Sequence, residues 1–209
     1  MALHNAWYED KKWVWLLLPI TIVFFCLSKL RKFFFNVGVF TSVKPKAFVI
    51  IVGNISVGGN GKTPTVISIA EYLISQGYRC GVLSRGYGSS QTQFPHLVNV
   101  NDEPSLVGDE PKLMRHRLCC PIVIDPKRVR GAQFLVEIHH CNVIICDDGL
   151  QHYALQRDFE IVVMDARGVG NGFLMPMGPL RESVSRLSSV DLVVFNGQIN
   201  DDILVTADK

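Results

Sequence analysis

An α/β protein built on a mostly parallel sheet is what three features of the sequence predict. Apolar, β-branched runs of four to six residues recur along the chain, and stretches with helical spacing separate several of them. Hydrophobic residues make up 48% and charged residues 19%, which fits a packed globule with some lipid contact rather than disorder. Continuous apolar strands alternating with helices imply a sheet covered on both faces. The chain has 209 residues, which fits one domain or two small ones. Its net charge of +2 is too weak to suggest a nucleic-acid partner.

The first element is the uncharged run "WVWLLLPITIVFFCLS", Trp13–Ser28. As a helix its sixteen residues would reach roughly 24 Å, short of a ~30 Å hydrocarbon core. Lys11 and Lys12 precede it, and Lys29, Arg31 and Lys32 come after it. It lacks a small-residue cleavage site at its end, which argues against a signal peptide. Trp7, Tyr8, Trp13 and Trp15 at one edge and cations at the other fit an interfacial anchor better than a buried core helix. Whether it spans or lies flat is left open by the sequence. Either way, the basic excess places the rest of the chain on the cytoplasmic face. Residues 1–40 are therefore expected to be a membrane-anchoring segment, and 41–209 the catalytic domain.

The strands expected after it are Ala47–Val52, Cys80–Ser84, Pro121–Ile124, Asn142–Asp147, Glu160–Asp165 and Asp191–Asn196. The segment "TPTVISIAEYLISQG" opens at Thr-Pro and stops at Gly77, so it reads as a helix. "DEPKLMRHRL" and "KRVRGAQFLVEI" read as helices too. The chain then ends on "NGQINDDILVTADK", just past a strand, with no covering element. A sheet stopping there would expose an edge, so a C-terminal part of the fold is expected to be missing.

Between the first strand and the first helix of this series lies "NISVGGNGKTPT", Asn54–Thr65. The phosphate-loop pattern is G-x-x-x-x-G-K-[ST]; Gly61, Lys62 and Thr63 match, while Ser56 takes the first Gly position. Gly58, Gly59 and Gly61 permit backbone angles that turn successive N–H groups onto phosphate oxygens. The next helix adds its positive end. The residues Ser56, Val57, Gly58, Gly59, Asn60, Gly61, Lys62 and Thr63 thus read as a nucleoside-triphosphate site. Lys62 would reach the β/γ-phosphates and Thr63 would ligate Mg²⁺.

"NVIICDDGLQH" adds an apolar strand ending in Asp147 and Asp148, the companion pattern in which a carboxylate orients Mg²⁺. Two adjacent residues cannot face the same way on a strand, so one addresses the metal and the other a different partner. Gly149, Gln151 and His152 come next, in the loop where α/β proteins place their chemistry. "SRGYG" supplies Arg85 between glycines. "VGDEPKL" sets Asp109 and Glu110 ahead of a helix, as first-turn charges or as chemistry. "GNGFLMPMGPLRES" is an apolar Gly/Pro loop ending in Arg181 and Glu182, suited to a lipid or substrate. The six cysteines lack a C-x-x-C pair and mostly flank strand-like runs, which fits buried reduced thiols rather than disulfides or a metal at "HHC".

Taken in order, "GNISVGGNGKTP", "SRGYG", "VGDEP", "DDGLQH", "MDA", "GNG" and "GPLRE" resemble the tetraacyldisaccharide 4′-kinases of lipid A biosynthesis. An apolar N-terminal helix is typical of that family. The resemblance implies a P-loop NTPase-like fold with flanking helices behind a membrane helix, and ATP with Mg²⁺ as cofactors. It implies transfer of the γ-phosphate to the 4′-hydroxyl of tetraacyldisaccharide 1-phosphate, at the cytoplasmic face of the bacterial inner membrane. It also implies Asp109 as base at the acceptor hydroxyl, Asp147 and Asp148 organising metal and phosphate, and Arg181 stabilising the transferring group. Partners would be the glycolipid and the membrane surface, with neither nucleic acid nor an obligate protein. Members are longer and bring a histidine from their later portion, so this length is expected to bind ATP without full activity. Two rival readings are a membrane-associated ATPase switch, with Val57 in place of the signature Lys, and a non-catalytic nucleotide-binding remnant.

Overall fold

The structure, a computed structural model, describes residues 5–9, 11–59 and 61–197. The chain forms two compact units. One comprises Met1–Phe40, Asn54–Gly61 and Val162–Lys209, the other Thr41–Gly53 and Lys62–Ile161.

The second unit holds the parallel sheet. Strands β1 (Phe48–Gly53), β2 (Cys80–Ser84), β3 (His96–Leu97), β4 (Ile122–Ile124) and β5 (Val143–Asp147) lie in the order β3-β4-β2-β5-β1. The pairs β1/β5, β2/β5 and β2/β4 are parallel and β3/β4 is antiparallel. Every residue of β2, β4 and β5 is buried, as expected of strands covered on both faces. Helices α2 (Lys62–Ser75), α3 (Pro104–Val107), α4 (Asp109–Arg117) and α5 (Arg128–Glu137) connect them; α1 (Leu18–Asn36) belongs to the other unit. The six anticipated strands and the three helices anticipated after the first strand are present, with bounds shifted by at most two residues; the four-residue α3 was not anticipated. The two-residue β3 was not anticipated. Strand β6 (Phe159–Asp165) begins in this unit and runs into the other, which also carries β7 (Leu192–Asn196).

In the first unit, α1 spans Leu18–Asn36, preceded by a 3₁₀ turn at Lys12–Leu17. The sequence placed the end of the apolar run at Ser28, yet the helix continues through Lys29, Arg31 and Lys32. Long basic side chains lay their methylene stems along an apolar helix and do not stop it. Lys12–Asn36 is, among the described residues, one helix long and apolar enough to cross a membrane by length and composition. Thr21 is the one buried residue of α1, and its Oγ1 accepts a 3.1 Å bond from the Met177 amide. Trp15 meets Phe173 edge-on at 5.4 Å between ring centres. Trp7, expected at the membrane interface, is instead buried, and its indole N–H donates to the Pro176 carbonyl at 2.9 Å. The loop after β6 thus folds onto the N-terminal segment, with Ala6, Val14 and Met177 forming a small shared core.

Candidate nucleotide site

In the second unit, charged side chains collect where β5 ends. Val52, one residue from the end of β1, pairs in register with Asp147 at the end of β5. Asp147 is 1% exposed, and its Oδ1 has no hydrogen-bond partner among the described residues. Burial, reinforced by the neighbouring charges of Glu110 and Asp148, pushes its carboxyl up to about 7 against the opposing pull of Lys62 and Arg128. Asp148 takes a left-handed conformation (φ 49°), a backbone state costing about 1 kcal/mol for a non-glycine residue. Its carboxylate lies 3.7 Å from the Lys62 ammonium, at the start of α2. The two aspartates therefore face different surroundings, one enclosed and one toward the lysine. Thr63 is buried in the first turn of the same helix.

The ends of neighbouring elements bring further groups to this unit. Asp109 and Glu110 open α4, both exposed, after Gly108. Gly108 sits at φ 93°, and a Cβ there would lie 2.9 Å from the Tyr87 carbonyl, so the "SRGYG" and "GDEP" loops touch only because it is glycine. Arg85 is exposed at the end of β2. The "DDGLQH" loop is held by Arg157, which donates to the carbonyls of Leu150 at 2.8 Å and His152 at 2.6 Å.

In the first unit, the loop from Asn54 to Gly61 is held from outside by its own neighbours. The amides of Val57 and Arg181 donate to the carbonyls of Pro179 (2.8 Å) and Ile55 (2.7 Å), and Ser56 bridges to Leu180. Arg181 is thereby tied by its backbone to the start of the loop. Gly58 has φ 120°, and a Cβ there would lie 2.9 Å from a guanidinium nitrogen of Arg167. Arg167 donates to the Gly59 carbonyl at 3.0 Å while paired with Asp165 at 2.6 Å. Asn60 lies outside the described residues.

Of the residues singled out in sequence, Lys62, Thr63, Asp109, Asp147 and Asp148 fall in the second unit; Ser56, Val57, Gly58, Gly59, Gly61 and Arg181 fall in the first. Two arginines of the site region were not singled out in the sequence. Arg167 lies just past the end of β6, a position that could have marked it, since α/β sheets carry their chemistry at strand carboxyl ends. Arg128 lies inside a basic run that reads as an ordinary solvated helix start. Among the described residues no group of three or more His, Cys, Asp or Glu is arranged to hold a metal. Mg²⁺ needs only one or two protein oxygens beside substrate phosphates, so the Asp147 carboxylate, with one oxygen unpartnered, fits it. Four of the cysteines are buried, but Cys26 and Cys119 are exposed, and all six are free thiols.

The same loops and strands recur in known proteins. A 63% identical relative is the tetraacyldisaccharide 4′-kinase of Pseudoalteromonas atlantica, aligned over 87% of this chain and 60% of its own length. The corresponding kinase of Haemophilus influenzae is 51% identical over 93% of this chain and 59% of its own. The crystal structure of LpxK from Aquifex aeolicus in complex with ATP superposes with a TM-score of 0.79 at 31% identity, covering 88% of this chain and 58% of that one. The chain thus spans about three fifths of the length of these relatives. The sequence model of the tetraacyldisaccharide-1-P 4′-kinase family matches residues 13–208, nearly the whole chain, and the chain belongs to that family.

Proposed function

We propose that this protein is an ATP-dependent lipid kinase that phosphorylates the 4′-hydroxyl of tetraacyldisaccharide 1-phosphate at the cytoplasmic face of the bacterial inner membrane. The observation that carries this reading is the end of β5. A buried aspartate stands level with the last residues of β1, which leads into the glycine-rich loop, and an adjacent aspartate pairs with the lysine that closes that loop. That is what a P-loop phosphotransferase requires.

In this reading the backbone amides from Ser56 to Thr63 hold the triphosphate, and Lys62 neutralises its β/γ oxygens. Asp147 and the Thr63 hydroxyl would hold Mg²⁺, which would supply positive charge to offset the charge that builds up on the transferring group. Asp148 keeps the Lys62 ammonium oriented while leaving its charge available at the loop. Asp109, exposed at the head of α4, accepts the proton of the acceptor hydroxyl. Arg181 supports the transferring phosphoryl. The barrier falls through positioning and charge compensation rather than through a covalent intermediate. Helix α1, with Ile20, Ile22, Val23, Leu27 and Phe33 more than half exposed, supplies the membrane contact that an acylated acceptor demands.

Incubation with γ-radiolabelled ATP, Mg²⁺ and the disaccharide in mixed micelles should move label into chloroform-extractable lipid; release solely as free phosphate would contradict the proposal. Asp109→Ala should lower turnover by about 10³-fold while ATP affinity stays within about twofold. Unchanged turnover would remove Asp109 as base.

A further inference from the structure

The Arg128 guanidinium has no role in the chemistry described above, yet it lies beneath the aspartate pair. Arg128 is the first residue of α5 and is 3% exposed. One of its terminal nitrogens, Nη2, donates to the Asp147 carbonyl at 2.8 Å and reaches the Asp148 carbonyl at 3.4 Å. The other, Nη1, reaches the Asp125 carbonyl at 3.5 Å, and Nε has no hydrogen-bond partner among the described residues. A buried cation normally pairs with a carboxylate. This one caps main-chain oxygens instead, at the two residues whose side chains define the site.

We propose that Arg128 is a positioning residue that fixes the directions of the Asp147 and Asp148 carboxylates. The constraint acts through the backbone. Anchoring the carbonyls of both residues sets the two peptide planes around Asp148, which occupies the left-handed region at φ 49°. In an extended continuation Asp148 would simply alternate to the opposite face of β5. The left-handed turn instead brings its carboxylate to Lys62 and leaves Asp147 enclosed. Asp125 completes the arrangement: its carboxylate accepts from Arg130 at 2.7 and 2.9 Å and from the Lys127 amide at 2.7 Å, which ties the start of α5 to the end of β4. The planar guanidinium is suited to spanning carbonyls on two elements, and a lysine has no equivalent fork.

The inference rests on the proposed nucleotide site, and its test separates the two. ATP affinity is measured by calorimetry with and without Mg²⁺ for the wild type and for Arg128→Lys, Arg128→Gln and Arg128→Met, each checked for a cooperative thermal transition. The folded variants should keep Mg²⁺-free ATP affinity within about twofold and lose at least about tenfold of the Mg²⁺-dependent gain, with Lys losing least. A merely structural arginine would change neither, or would lower both affinities by one factor. Either result overturns the proposal, as would failure of all three variants to fold. If the wild type itself shows no Mg²⁺-dependent gain, the nucleotide-site reading fails first, and the role of Arg128 falls with it.

Discussion

Strand β5 and helix α1 are both strongly apolar, and their side chains are disposed in opposite ways. All five residues of β5 are buried. Of the nineteen in α1 only Thr21 is, and it is a polar one. In β5 the protein interior solvates the apolar side chains and makes an enclosed, low-dielectric seat for Asp147. In α1 the apolar side chains face outward, as they do where the surrounding solvent is lipid or another protein surface. Equal hydrophobicity thus has two outcomes, a packed interior around Asp147 in one region and an exposed apolar helix in the other.

Core truncation should expose that difference most strongly. Ile144→Ala, at a fully buried position of β5, should cost about 3 kcal/mol of unfolding free energy by denaturant titration. A cost under about 1 kcal/mol would mean that β5 does not anchor the core. The next effect concerns pH. Because burial and neighbouring carboxylates raise Asp147 to about 7, the folded state binds this proton more tightly than the unfolded chain does. Its contribution to stability is full below about pH 4 and is lost as pH rises through about 7. Metal-free protein should therefore lose on the order of 2 kcal/mol between about pH 5 and pH 8 that Asp147→Asn retains. Identical pH profiles for the two proteins would contradict the enclosed carboxylate. The smallest effect on folding belongs to α1. Val23→Ser should change stability by less than about 0.5 kcal/mol while weakening binding to anionic phospholipid vesicles. A large loss of stability with unchanged vesicle binding would make α1 a core helix after all.

What the sequence disclosed and what it hid divide along physical lines. The main strands were legible because each is a short β-branched run that must be buried on both faces. The turn after β1 and the end of β5 at Asp147 were legible as breaks in apolar strands, because Gly58 and Gly61 take positive φ and a charged pair ends the apolar run. Strand β3 was not: its two residues carry no apolar pattern, and the 2.8 Å contact of its own His96 with Asp102 is a tie that only folding creates. The length of α1 was underestimated because Lys29, Arg31 and Lys32 resemble a boundary. Trp7 was assigned to an interface because nothing local reveals its bond to Pro176, 169 residues away. Arg128 was hidden for the same reason, since its partners Asp147 and Asp148 lie 19 and 20 residues downstream.

The central claim is that the residues from Ser56 to Thr63 grip a triphosphate with the help of a metal seated at Asp147. Calorimetric titration of the protein with ATP tests it most directly, run with and without Mg²⁺ and repeated on Lys62→Ala. The account predicts saturable one-to-one binding that tightens with Mg²⁺ and weakens about 10- to 100-fold in Lys62→Ala. Binding that is absent, indifferent to Mg²⁺, or equal in the two proteins would contradict it.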